Sequence, residues 1–141
     1  MKKLGLSNDI IVDVYTKEIR SVLEFGAPIW TGALTERDST KFERIQKTTL
    51  KIVLDHKFTD YASACEKVKL DLLKYRREKL CIKFSKIGFK KSNSIFHKFT
   101  SKRNTRHKKQ KLVSEFKCNT GRYFTSGLPF LSRLLNKADQ K

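Results

Sequence analysis

The chain has 141 residues, 38% of them hydrophobic, which suits one modest domain and leaves little room for two. Its 32 basic and 14 acidic side chains give a formal charge of +18, and so cationic a compact domain repels itself unless an anionic partner lies against it; nucleic acid is the first such partner and an anionic membrane surface the second. No stretch approaches about 18 uncharged apolar residues and the amino terminus has no signal-type apolar run, which argues against a spanning helix and predicts an intracellular protein, nuclear or cytoplasmic.

Residues 1–6 read as an extension, after which Ser7, Asn8 and Asp9 offer caps for a first helix of roughly Asp9 to Trp30. Ile11, Tyr15, Ile19, Val22, Leu23, Phe25 and Trp30 supply its apolar positions. Gly26-Ala27-Pro28 predicts a kink or an end, because proline lacks the amide donor and restricts the residue before it. A short turn, Thr31 to Leu34, then leads into a central helix from Thr35 to Asp55, so the first two helices should form an antiparallel hairpin. Thr35 and Asp38 make a capping-box pattern, with the carboxylate expected to reach back to the cap.

Phe42, Ile45, Thr49, Ile52 and Val53 recur at three- and four-residue steps and predict the buried face of that helix. Arg37, Lys41, Arg44, Lys47 and Lys51 fall within an arc of about 120° flanking it. Further on, Asp60 can cap a short helix carrying Tyr61, Ala64, Cys65 and Val68, and Asp71 a longer one of about Leu72 to Lys91. On the longer helix Leu73, Leu80, Phe84 and Ile87 are the expected inner face, while Arg76, Lys79, Lys83, Lys86 and Lys90 form a second cationic stripe. Two independent helices thus divide their surfaces in the same way.

From Lys74 to Lys117 there are 16 basic residues against two Glu. Thr100 to Lys111 has six basic residues and no acid or apolar residue, and is expected to be a mobile arm. After Gly121, Leu128, Phe130, Leu131, Leu134 and Leu135 around Pro129 predict a short amphipathic helix with proline near its start. The organisation read from these patterns is an extension (1–6), a helical domain (7–91), a basic linker or arm (92–121) and a carboxy-terminal amphipathic segment (122–141). The fold class is mainly α, a small bundle of about four helices.

The residue patterns argue against catalysis by the chain itself. Two-metal chemistry needs converging carboxylates, and no Asp-Asp hairpin occurs; Asp9 and Asp13 share a helix face but are ordinary complements to a helix amino terminus. His56, His97 and His107 lack metal spacing. Cys65, Cys81 and Cys118 are odd in number and widely spaced, so they form neither a disulfide framework nor a metal half-site and fit a reducing compartment. No phosphate-binding glycine loop or nucleophile elbow is present. No cofactor, metal or small-molecule substrate is expected. Phe42, Phe84, Phe89, Tyr15 and Trp30 lie at helical spacing and suit core packing, whereas Tyr123 and Phe124 beside Arg122 are less easily placed in a core.

Several segments in order carry a family resemblance: Tyr15-x4-Arg20, VLEFGAPIW (Val22 to Trp30), KFERIQKTTLKIVL (Lys41 to Leu54), DYASA (Asp60 to Ala64), LLKYRREKLCIKF (Leu72 to Phe84), and Arg122-Tyr123 followed by SGLPFLSRLLN (Ser126 to Asn136). Together they resemble the region downstream of the catalytic palm in reverse transcriptases of jockey-like non-LTR retrotransposons. The resemblance implies a helical, thumb-like region that follows the palm and helps hold template and primer. The family's Tyr-x-Asp-Asp metal site, fingers and endonuclease have no counterpart here, so the expectation is a noncatalytic fragment or remnant.

The expected function is therefore sequence-independent binding of RNA, DNA or an RNA–DNA duplex through Arg37, Lys41, Arg44, Lys47, Lys51, Arg76, Lys79, Lys83, Lys86 and Lys90, assigned by helical geometry. The competing expectation is a protein-interaction module whose apolar faces, on the first helix and on Leu128 to Leu135, dock on a polymerase palm domain.

Overall fold

The computed structural model describes residues 5–90, 96 and 113–139. The expected mobile arm, Thr100 to Lys111, lies outside the described residues, as do His97 and His107. The chain is mainly α-helical, and no strand occurs among the described residues. In order come α1 (Asn8–Val14), a π-helical turn (Tyr15–Ile19), α2 (Arg20–Glu24), α3 (Ala27–Trp30), a 3-10 turn (Thr31–Ala33), α4 (Glu36–Leu54) and a second 3-10 turn (Asp55–Lys57). They are followed by α5 (Tyr61–Lys67), α6 (Leu73–Gly88), α7 (Gly121–Thr125) and α8 (Gly127–Ala138).

The expected interruption near Pro28 falls at Gly26, whose φ of 63° is left-handed backbone that glycine adopts without a Cβ penalty. Proline follows within the first turn of α3, where its missing N–H is no loss. At the other end of the first helical run, Ser7 occupies the cap position without a side-chain hydrogen bond. Thr35 does cap α4, accepting from the Asp38 amide at 3.2 Å. The Asp38 carboxylate accepts the Thr35 hydroxyl proton at 2.7 Å, where a full capping box would take the cap residue's backbone N–H. Asp60 caps α5 by accepting from the Ala62 amide at 3.1 Å.

The chain divides into two compact units whose limits cross those read from composition: Met1–Phe25 with Leu34–Arg77, and Gly26–Ala33 with Glu78–Lys141. The second boundary lies inside α6, so a composition shift near residue 91 does not mark it.

In the first unit α1 runs antiparallel to α4, as expected for the hairpin: Val12 and Thr16 line the same groove as Val53 and Leu54, and Tyr15 reaches Gln46 farther back along α4. The apolar centre is Leu50, Ala64 and Cys65, surrounded by Leu54, Phe58, Tyr61, Val68, Leu70 and Leu72. A buried polar chain runs beside it. The Tyr15 hydroxyl donates to Gln46 Oε1 at 2.8 Å, and Gln46 Nε2 donates to the Asp71 carbonyl at 3.0 Å with Cys65 Sγ at 3.4 Å. Glu43 adds a second fastening, accepting from the Tyr61 hydroxyl and from the Lys74 amide.

In the second unit Ala27, Cys81, Val113, Leu131 and Leu135 are buried. A Cβ on Gly32 would stand 2.5 Å from the Thr125 carbonyl oxygen and 2.6 Å from the Phe130 ring, so the turn after α3 lies hard against the α7–α8 corner. The Asn136 amide closes the unit by pairing with one backbone residue, accepting from Val113 N at 3.0 Å and donating to Val113 O at 2.9 Å. Pro129 occupies the third position of α8, near its start as expected, and Leu128, Phe130 and Leu134 are half-buried.

Three expected core faces are corrected. On α4 the buried line is Ser39, Gln46, Leu50 and Val53, while Ile45 and Ile52 are 40% and 46% exposed. On α6 it is Leu73, Arg77, Cys81 and Ser85, while Phe84 and Ile87 are exposed and Leu80 is half-buried. On the first helical run Ile11 and Tyr15 are buried, but Ile19, Val22 and Phe25 are exposed. For α4 and α6 the cause is shared. Polar residues that find partners inside take the central seam, and the larger apolar side chains are rotated to its margin.

Candidate nucleic-acid interface

Rotating the buried seams moves the cationic stripes too. At about 100° per residue, Arg37, Lys41, Arg44, Lys47 and Lys51 cover an arc of roughly 120° centred about 160° from Gln46. The stripe therefore lies opposite the core, where flanking it had been expected, and all five side chains are exposed. Ile52 and Ile45 border it on the Lys41 side. No ion pair holds Arg37, Arg44 or Lys47 among the described residues. Lys51 lies 5.7 Å from the Phe58 ring centre, and Lys41 pairs with Asp38 at 2.9 Å. The Lys41 ammonium and the Thr35 hydroxyl hold the Asp38 carboxyl below the usual carboxylate range.

On α6, Lys79, Lys83 and Lys86 are exposed, and so is Lys90, which lies past the helix end at Gly88. With Arg76 the three lysines of α6 span roughly 80°, centred on the side opposite Cys81. Arg76 itself differs in use. It is half-buried and its Nε donates to Glu24, a carboxylate that also faces Arg20 at 3.8 Å. Burial first, and the neighbouring Arg76 second, lower the pKa of Arg20. Arg76 is thus spent on a structural triad, and the exposed part of the α6 stripe begins at Lys79. An acid within the apolar run Val22 to Phe25, four residues after Arg20, is the sequence signal for the Arg20–Glu24 pair within this triad.

Arg77, next to Arg76, points inward. It is 3% exposed, its Nη2 donates to Ser39 Oγ at 2.8 Å and its guanidinium lies 5.4 Å from the Phe42 ring centre. Its Nε and Nη1 have no hydrogen-bond partner among the described residues.

The groups capable of chemistry are used structurally. Burial, more than any neighbouring charge, pushes the Tyr15 and Tyr61 hydroxyls and the Cys65 thiol up from their ordinary values, with the Glu43 hydrogen bond adding to the rise at Tyr61. Asp13 pairs with Lys17 at 2.6 Å, and both are well exposed. Among the described residues no three His, Cys, Asp or Glu side chains are grouped to hold a metal ion. An open groove of about 490 Å³ beside α1 carries both signs of charge, Asp9 and Asp13 with Lys67 and Lys69. No helix among the described residues is long and apolar enough to cross a membrane. Compared with known proteins, the chain matches no protein-family model, no curated protein and no solved structure.

Proposed function

We propose that the chain is a noncatalytic, thumb-like segment of a non-LTR retrotransposon reverse transcriptase, and that it holds RNA, DNA or an RNA–DNA duplex by its phosphates without reading sequence. The observation that carries the binding reading is the outer face of α4, where five cations stand exposed across from the buried seam. Phosphate contacts of this kind position a duplex and carry no base information. A quadruple variant, Arg37→Glu, Lys41→Glu, Arg44→Glu and Lys51→Glu, is expected to lose most binding to unrelated nucleic-acid sequences while circular dichroism reports intact helices. With four phosphates contacted, this stripe contributes roughly −3 to −4 to the slope of log K against log salt. Unchanged affinity and slope in that variant would remove the stripe from the interface.

A second reading, docking on a palm domain, is favoured by one feature of the first helical run. Ile10, Val14, Ile19, Val22 and Phe25 are exposed, Val22 by 75% and Phe25 by 84%. The five-residue step from Val14 to Ile19 passes through the π turn, which accommodates it as an α-helix accommodates four, so these side chains keep to one side. Exposed apolar side chains aligned in this way are a common mark of a protein-binding face.

A further inference from the structure

In the second unit α7 and α8 form a corner that displays two aromatic rings. Tyr123 is 43% exposed and Phe124 50%, and neither has a core to enter. Their backbone is nonetheless firmly held. Thr120 Oγ1 accepts from the Tyr123 amide at 3.2 Å, Ser126 Oγ donates to the Tyr123 carbonyl at 2.7 Å, and the corner leaves no room for a Cβ at Gly32.

Arg133 of α8 lies over the Phe124 ring with Cζ 3.6 Å from its centre, and its Nη2 donates to the Phe124 carbonyl at 2.6 Å. One face of Phe124 is thus occupied by a planar cation fixed in place, and the remaining exposure of the ring belongs to its other face and edge. From Thr120 to Lys137 the chain has three basic residues, Arg122, Arg133 and Lys137, and no acid. Flat rings beside Arg122 and Arg133, on a run of sequence without an acid, match a ligand that has π faces and repeating negative charge.

We infer that Tyr123 and Phe124, with Arg122 and Arg133, form a stacking platform for the unpaired bases of a single-stranded nucleic acid. Successive helical residues diverge by about 100°, so each ring meets its own base. Every base has a π face, so the platform is tolerant of sequence. The inference rests on the nucleic-acid reading and adds a base-dependent site to its phosphate contacts.

The test measures fluorescence anisotropy with a labelled single strand and with an abasic phosphodiester strand of the same length, on the full chain. The wild type should bind the base-bearing strand more tightly. Tyr123→Ala with Phe124→Ala should weaken that binding, by roughly 5- to 150-fold per ring lost, and leave the abasic strand unchanged. Tyr123→Phe, which keeps the ring, should retain wild-type affinity. Equal binding of both strands by the wild type, or no loss in the double variant, overturns the platform while leaving the phosphate stripes standing. An equal loss on both strands also overturns it, because a stacking site cannot act on a strand without bases. Failure of the wild type to bind either strand overturns the platform together with the nucleic-acid reading.

Discussion

Helices α4 and α6 carry their cations alike and fill their buried seams differently. Each sets Lys and Arg on the side away from its seam, and each buries polar side chains within it. On α4 the central polar residue is Gln46, whose amide oxygen accepts from Tyr15 and whose nitrogen donates to Asp71 and Cys65. On α6 it is Arg77, which among the described residues has one hydrogen-bonding partner, Ser39, and two nitrogens without any. A satisfied amide fixes how α4 sits against its neighbours, because sliding α4 would strand all three of these partners and sliding the first helical run would strand Tyr15. A buried guanidinium with one partner fixes far less.

The largest expected effect checks where the α4 seam lies. Leu50 is fully buried, so Leu50→Ala should destabilise the protein by about 2–5 kcal/mol in urea denaturation. Ile52→Ala, at a position 46% exposed, should cost well under half as much. Equal losses would mean that the apolar face of α4 is the one counted from periodicity, centred on Ile45 and Ile52.

The next pair bears directly on the two polar residues. Gln46→Met leaves the buried Tyr15 hydroxyl without its Gln46 acceptor, at about 1–3 kcal/mol. Arg77→Met removes a desolvated guanidinium that has little to lose by way of hydrogen bonds. Replacing it should leave stability within about 1 kcal/mol of wild type or raise it. A loss at Arg77 as large as that at Gln46 would show that the guanidinium is held by more than Ser39 and Phe42.

These seams explain why some features could be read from residue order and others could not. Helix positions, the break at Gly26 and the caps at Thr35 and Asp60 follow from local chemistry, and so do the cationic stripes, since long charged side chains favour solvent wherever the core falls. The inner faces depend on pairings between distant residues. Counting apolar positions places Ile45, Ile52, Phe84 and Ile87 inside, because nothing local to Ser39, Gln46 or Arg77 announces a partner some 25 to 40 residues away, as with Tyr15, Asp71 and Ser39. The π turn at Tyr15–Ile19 likewise has no marker in its residues. Arg76 was placed on a stripe by spacing alone, and only the fold brings Glu24 to it.

The smallest expected effect concerns Lys41, the one member of the α4 stripe tied to an acid among the described residues. Asp38 is exposed, and Lys41, then Thr35, hold its carboxyl below the usual carboxylate range in the folded chain. A lowered folded pKa means that ionised Asp38 favours the folded state: its contribution is fully present above the ordinary carboxylate pKa and is lost as pH falls through the lower folded value. The stability difference between wild type and Asp38→Asn should therefore be steady at neutral pH and close in acid, while titrations common to both chains cancel. It should also shrink in high salt, since an exposed pair is screened beyond a Debye length of about 8 Å at physiological ionic strength. Removing the Asp38 charge releases Lys41 to the stripe. Asp38→Asn should then bind nucleic acid slightly more tightly than wild type and steepen the salt slope by at most about 0.9, one additional phosphate. A variant that loses stability as expected, yet binds with unchanged affinity and slope, would leave Lys41 as a helix-capping residue and outside the interface formed by Arg37, Arg44, Lys47 and Lys51.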